Sequence, residues 1–109
     1  MIAREWKCLC PVRHLDGFLR HLFATGVADT SGLPGFLGYQ ILTREADDEV
    51  EVTLTTYWES LGAVSAYAGE AIGTAVLYPG DEAFEIVPEL MVRHYVVVGA
   101  AFPVKTPPA

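Results

Sequence analysis

The chain has 109 residues, of which 51% are hydrophobic and 19% are charged, and its net charge is −7. This length suits one domain with a single core, and the acidic balance argues against nucleic acid or an anionic membrane as a partner, because both require a basic surface. No apolar run approaches the roughly 20 residues of a membrane span, and a strand pattern begins at once without a signal peptide, so we expect a cytoplasmic protein.

Strand-like and helix-like stretches alternate along the chain in the order β-α-β-β-α-β. The predicted strands cover Ile2–Cys10, Phe36–Glu45, Glu49–Trp58 and Glu89–Val98, and the predicted helices cover Pro11–Thr25 and Ser60–Gly69. The strands show period-two alternation, and the first helix carries one apolar stripe at helical spacing. This order predicts a ferredoxin-like α+β sandwich, in which two helices cover one face of a four-stranded antiparallel sheet.

The segments outside these elements give weaker signals. Residues 72–77 are expected to form one or two helical turns, and Tyr78-Pro79-Gly80-Asp81 is a turn pattern. We expect one domain over residues 1–98 and a proline-rich, loose tail over residues 99–109.

Alternation sorts the strand residues onto two faces of the predicted sheet. The more apolar set should face the helices, and four polar residues interrupt it: Arg4, Gln40, Thr56 and His94. An apolar cavity with a few converging polar groups is the usual form of a small-molecule site. Trp6 and Trp58 flank these residues and could wall an aromatic ligand or simply belong to the core.

The second face of the sheet also holds apolar and aromatic residues. They are Leu37, Tyr39, Ile41, Tyr57, Met91, Tyr95 and Val97. An open sheet face of this kind usually has a partner, and two-fold dimers are the commonest assemblies. The pattern therefore predicts a homodimer in which two such faces pack together.

The cysteines and histidines of the sequence do not predict a metal site. Cys8 and Cys10 lack a second Cys or His cluster, so we interpret them as small buried thiols. His14 and His21 lie two helical turns apart, too far to share one metal, and are expected on a solvated helix face.

Three short motifs stand out along the chain. They are Leu33-Pro34-Gly35-Phe36, then Thr56-Tyr57-Trp58-Glu59-Ser60 with Tyr67 on the following helix, and Arg93-His94-Tyr95. Over about residues 1–98 the chain thus resembles the antibiotic biosynthesis monooxygenase family of dimeric α+β barrels. Members of this family include cofactor-free, quinone-forming monooxygenases and haem-degrading enzymes, and related barrels include isomerases and small-ligand sensors.

The haem-degrading members differ from this chain in their characteristic residues. They carry an Asn in strand one, a Trp on helix two and a His about three turns later. Here Arg4–Trp6 occupies the strand-one region, Tyr67 replaces the helix Trp, and Leu77 and Tyr78 lie near the His position. The resemblance therefore implies an enzyme without haem, and we expect no cofactor.

The resemblance also implies roles for the candidate residues. His94 would act as a base on a phenolic or activated C–H group, and Arg4 would stabilise the resulting anion. The substrate contacts would be Trp6, Trp58, Gln40, Tyr67 and Thr56. We therefore expect a cofactor-independent, monooxygenase-like enzyme that acts on a small aromatic or polyketide-like substrate with O₂. A non-catalytic ligand-binding or sensor dimer and an isomerase on the same barrel are the alternatives.

Overall fold

A computed structural model of the chain describes residues 1–101. The strands are β1 (Ile2–Pro11), β2 (Phe36–Ala46), β3 (Glu49–Trp58), β4 (Val87–Pro88) and β5 (Arg93–Val96). The helices are α1 (Leu15–Leu22), α2 (Ala28–Thr30) and α3 (Leu61–Ala68), with shorter or irregular turns at Val12–His14, Phe23–Val27 and Asp81–Phe84. No helix in this part of the chain is long and apolar enough to cross a membrane. Most of the predicted tail lies outside the described residues, so the division into a domain and a tail stays a prediction. The cytoplasmic location also stays a prediction.

The strands form one antiparallel sheet in the order β2-β3-β1, and both β4 and β5 pair with the free side of β1. Strand β3 has the predicted bounds, and β1 and β2 each extend one residue further than predicted. Helix α3 begins after Ser60, whose side chain accepts a hydrogen bond from the Ala63 N–H, and ends at Gly69 with a φ of 82°. The α+β ferredoxin-like fold with an antiparallel sheet is thus confirmed.

The last predicted strand, Glu89–Val98, is only partly correct. The chain pairs with β1 at Val87–Pro88, leaves the sheet, and pairs again at Arg93–Val96. Between the two pieces, Met91 bridges to Thr74 instead. The predicted helical turns at residues 72–77 are wrong, because residues 73–75 pair with residues 90–92.

The first helical segment is longer than predicted. It continues past Gly26 through a π-helical turn, Phe23–Val27, to Thr30. This turn packs on the sheet, and a Cβ built on Gly26 would make an ordinary van der Waals contact with Leu54 Cδ2 at 3.5 Å. The Thr30 hydroxyl donates to the Gly26 carbonyl at 2.9 Å near the end of the helix. The irregular turn therefore places the end of this segment directly over the sheet.

Strand β2 contains a bulge between Phe36 and Gly38. Beyond the bulge Tyr39 pairs with Thr56, so Tyr39 turns to the helix side, where its ring lies 6.2 Å from that of Phe23. Gln40 turns to the open face. The extra residue reverses the faces that simple alternation predicts for β2.

Two predictions are therefore wrong for this strand. Gln40 does not face the helices, and it accepts a hydrogen bond from the Tyr57 hydroxyl at 2.6 Å on the open face. Tyr39 and Ile41 do not belong to the open face, since Ile41 packs against the core. Leu42, half exposed, takes their place on the open face.

The core lies between the sheet and α1. Its buried members include both cysteines, which are free thiols, as predicted. The cluster comprises Cys8, Cys10, Phe18, Leu22, Val27, Val50, Val52 and Leu54. This packing holds the first helix against the centre of the sheet and leaves a cleft beside it.

Candidate functional site

A cleft of about 520 Å³, including the open space at its mouth, lies between the first helical segment, the sheet and residues 70–80. We call residues 70–80 the strap. Most of the surface that lines the cleft is apolar. The lining side chains that carry hydrogen-bonding groups are Arg4, Trp6, Thr25, Thr30, Thr56, Tyr67, Tyr78 and Asp81. Such a lining is typical of a small-molecule site.

The cleft brings four predicted site residues together: Arg4, Trp6, Thr56 and Tyr67. Arg4 and Thr56 are direct partners across β1 and β3, and Trp6 follows two residues along the same face. The structure does not bring Gln40 to this cleft, because of the bulge in β2.

Trp58 lies behind the cleft wall. It is fully buried, and its indole N–H donates to Thr56 Oγ1 at 2.9 Å. Its ring stacks on that of Tyr67, with centroids 5.8 Å apart. Trp58 therefore positions Thr56 and Tyr67 and does not itself line the cleft.

Arg4 is a buried cation, with only 5% of its surface exposed. Its Nη1 donates to the Ile72 carbonyl at 2.6 Å, and its Nη2 donates to the Thr74 carbonyl at 3.1 Å, so it ties the strap to the sheet. No carboxylate of residues 1–101 forms an ion pair with it. Burial lowers the pKa of Arg4 from its usual value, but an arginine still carries its charge at neutral pH.

His94 lies beside this guanidinium, 3.0 Å from Nε2 to Arg4 Nη1. Arginine can only donate hydrogen bonds, so Nε2 must accept, and the ring is neutral with its proton on Nδ1. Burial, and after it the positive charge of Arg4, lowers the pKa of His94. The lone pair that a general base would use is therefore engaged by Arg4.

Tyr67 and Tyr78 close the strap side of the cleft. Their hydroxyl oxygens lie 2.7 Å apart in one hydrogen bond. Burial raises the pKa of each phenol above its usual value. Both side chains are therefore protonated at neutral pH and can orient a ligand without carrying charge.

Sequence reasoning missed Asp81 as a residue of the cleft. Its carboxylate accepts from the Tyr78 N–H at 2.9 Å and lies 2.7 Å from His21 Nε2. The prediction that His21 lies on a solvated face is wrong, since its side chain is 17% exposed. The turn pattern at residues 78–81 was the available signal, but it indicates only a turn.

The indole of Trp6 has an unusual environment. Its Nε1–H is buried and finds no acceptor within residues 1–101. Within the same residues no group of three His, Cys, Asp or Glu side chains is arranged to hold a metal ion. The site therefore combines one cation, Arg4, and one carboxylate, Asp81, with several neutral donors and aromatic walls.

Comparison with known proteins agrees with this fold. The solved structure of a MhuD mutant with two manganese protoporphyrin IX molecules per active site matches with a TM-score of 0.59 and 22% identity, covering 94% of this chain and 100% of that one. A candidate antibiotic biosynthesis monooxygenase from Deinococcus radiodurans matches with a TM-score of 0.58 and 18% identity, covering 97% and 100%. Another from Bacillus cereus matches with a TM-score of 0.61 and 15% identity, covering 94% and 98%.

At these identities the structural likeness shows a shared fold. No curated protein matches the chain. The family model described as antibiotic biosynthesis monooxygenase matches residues 13–71, which is more than half of the sequence. The chain therefore belongs to the antibiotic biosynthesis monooxygenase family.

Proposed function

We propose that this protein is a cofactor-independent, monooxygenase-like enzyme acting on a small aromatic or polyketide-like compound with O₂. One observation carries the proposal: a buried guanidinium, without a carboxylate partner among residues 1–101, beside an aromatic-walled cleft. A buried charge costs free energy unless an opposite charge joins it, so an anionic ligand or intermediate suits this site. Arg4 would stabilise the anion, while Trp6, Thr56 and Tyr67 would contact the ring.

The proposed reaction converts an activated CH₂ group into a carbonyl. Loss of one proton gives an enolate, which transfers one electron to O₂, and the resulting radical pair combines to a peroxide. The peroxide anion takes up one proton to give a hydroperoxide. Cleavage of its O–O bond with loss of the second C–H hydrogen then releases water and forms the C=O bond, so one oxygen atom enters the product and the other leaves in water. A fixed cation beside the enolate oxygen lowers the energy of the charged states along this route.

A specific observation favours a second candidate, a non-catalytic ligand-binding or sensor protein. The Nε2 lone pair of His94, the expected base, faces Arg4. Turnover therefore requires either that His94 leaves Arg4 or that the substrate loses its proton before it binds. An isomerase is the third candidate, and it would form product without consuming O₂.

We expect no haem in this cleft, on the chemistry of the histidines and of Tyr78. The three histidines each have Nε2 engaged: His14 with Glu85, His21 with Asp81, and His94 with Arg4. Tyr78, near the position where the haem-degrading relatives carry their His, shares its hydroxyl with Tyr67 and is protonated. Neither the Nε2 atoms of these histidines nor the Tyr78 hydroxyl is therefore free to act as an axial ligand, and the proposed chemistry does not use haem.

We also propose that two copies pack through the open face of the sheet. On that face Leu42, Val87 and Tyr95 are about half exposed or more, and such apolar surface is typical of an interface. Light scattering should give a dimer for the native protein and a monomer for Leu42→Glu. The control Leu61→Glu changes a similarly exposed leucine on α3 and should remain a dimer. A monomeric native protein would contradict the proposal.

The test of the enzymatic proposal is oxygen uptake. The purified, metal-free protein would be mixed with anthrone-like and hydroquinone-like compounds in an oxygen-electrode cell. Uptake above the blank with a quinone product is expected, and Arg4→Gln should abolish it. Product formed without uptake would indicate the isomerase, and the absence of any product would leave ligand binding as the function.

A further inference from the structure

We infer that this cleft takes a ligand that is already an oxyanion in solution, such as an acidic phenol or an acidic enol. The inference rests on the proposed function and narrows it, because it names the ionisation state in which the substrate binds. It follows from the hydrogen-bonding groups on the sheet side of the cleft and from the proton acceptors around it.

The sheet side of the cleft offers hydrogen-bond donors. Arg4 uses three N–H hydrogens on Ile72, Thr74 and His94, and a guanidinium has five, so two have no partner among residues 1–101. Directly across the strand pair, Thr56 Oγ1 accepts from Trp58, and its own hydrogen has no acceptor in the same part of the chain. Adjacent donors, one of them charged, favour an oxyanion over a hydroxyl.

The proton acceptor beside Arg4 is engaged, and the carboxylates nearby lie against other groups. His94 accepts from the guanidinium through Nε2. One oxygen of Asp81 lies against His21 and the other accepts from the Tyr78 N–H. His94 therefore has no free lone pair at Nε2 to take a proton from a ligand. The carboxylates of Asp81 and Asp29 act on His21 and Tyr78, and neither forms an ion pair with Arg4 within residues 1–101.

The two phenols of the cleft do not supply a base either. Tyr67 and Tyr78 share a hydrogen bond, and burial keeps both protonated at neutral pH. A substrate that has lost its proton in solution needs no base in the cleft for the first step, the one that makes the carbanion able to reduce O₂. An ionised ligand therefore fits an oxygenase reaction in a cleft where Nε2 of His94 is engaged.

Charge also sets the orientation of such a ligand. The chain carries a net charge of −7, and Arg4 is the cation that lines the cleft, while Asp81 is the anion that lines it. An oxyanion would therefore be attracted at Arg4 and repelled at Asp81. The uncharged part of the ligand would lie along the apolar and aromatic lining.

The test uses 4-nitrophenol, which ionises near neutral pH and whose phenolate is yellow. Its absorbance would be titrated against pH with and without the full-length protein. We expect the bound ligand to ionise about one pH unit lower than free ligand, which corresponds to about tenfold tighter binding of the phenolate than of the phenol. The methyl ether, 4-nitroanisole, cannot ionise and should bind at least tenfold more weakly than the phenolate.

Variants locate the effect in the cleft. Arg4→Gln should abolish the shift, while Arg20→Gln, which removes the same charge from the exposed side of α1, should retain it. Since Arg4→Gln also frees the strap and could fail to fold, Thr56→Val is the second variant and should weaken phenolate binding. The inference would be overturned if native protein left the apparent pKa of 4-nitrophenol unchanged or raised it. It would also be overturned if neither the phenol nor the phenolate bound at millimolar concentration.

This experiment is independent of turnover. Phenolate binding without oxygen uptake on any of the anthrone-like and hydroquinone-like compounds would refute the oxygenase proposal and leave this inference standing. Oxygen uptake on neutral carbon acids, together with preferential binding of neutral 4-nitrophenol, would refute this inference and leave the oxygenase standing.

Discussion

Replacing Gly35 with alanine should destabilise the protein strongly, although Gly35 lies in a loop. Its φ is 81°, a left-handed conformation that favours glycine. A Cβ built there would lie 2.6 Å from the Cβ of Ala63, which is fixed to the backbone of α3 and cannot rotate away. The Gly35 carbonyl also accepts the Glu59 N–H at 2.8 Å, so the loop cannot easily withdraw from the start of α3.

The expected cost has two parts. A left-handed conformation costs a residue with a side chain about 1–2 kcal/mol. Overpacking against a fixed group costs about 1–3 kcal/mol. The free energy of unfolding should therefore fall by about 2–5 kcal/mol, a large share of the about 5–15 kcal/mol typical of a domain.

Urea unfolding measures this cost directly, with Gly32→Ala as the control in the same loop. A Cβ on Gly32 would meet nothing within 4 Å, so that variant should be neutral or stabilised by up to about 1 kcal/mol. The double variant Gly35→Ala/Ala63→Gly should relieve the overpacking but not the backbone strain, so it should recover part of the loss. A Gly35→Ala protein within about 0.5 kcal/mol of the native one would refute this reasoning.

Three further predictions follow from buried groups. Folding lowers the pKa of His94, so the unfolded state binds more protons than the folded state once the pH falls below about 6.5. The free energy of unfolding in urea should therefore fall below that pH, and it should fall less in His94→Gln. Burial raises the pKa of Cys8 to about 12 and also raises that of Cys10, so Ellman's reagent should label both only on unfolding; rapid labelling of the native protein would contradict this. Trp58→Phe should lower the free energy of unfolding by about 1–3 kcal/mol, because it removes side-chain volume and a hydrogen bond. Trp6→Phe should lower it less in the same urea assay, because the indole N–H of Trp6 has no acceptor among residues 1–101.

The regular elements could be predicted because their signals are periodic and locally bounded. Strand Glu49–Trp58 alternates along its length, follows a polar hairpin tip, and precedes a serine that caps a helix. Each of these signals depends on residues close together in the chain. The element order then follows, and the antiparallel sheet with it.

The irregular features could not be predicted, because each depends on a distant contact. Within Phe36–Ala46 the signal of the bulge is Gly38, whose φ is 153°, but a glycine in a strand does not tell whether the register shifts. One extra residue there moves Gln40 from one face to the other. Residues 72–77, expected to form helical turns, do not, because residues 73–75 pair with residues 90–92 and because Arg4 binds the carbonyls of Ile72 and Thr74. A period-two or period-3.6 pattern carries no information about such partners.

The pair of Arg4 and His94 shows why finding the right residues is not the same as finding their roles. Alternation places both on the helix face. That placement is correct, because Arg4 lines the cleft beside the first helix and His94 is its direct partner across β1 and β5. Their chemistry depends on the register, which brings Nη1 within 3.0 Å of Nε2. Since a guanidinium can only donate, this contact turns the candidate base into an occupied acceptor. Arg4, which has no carboxylate partner among residues 1–101, is then the stronger candidate of the pair for binding a ligand. For this reason the charge of the ligand is the property to measure.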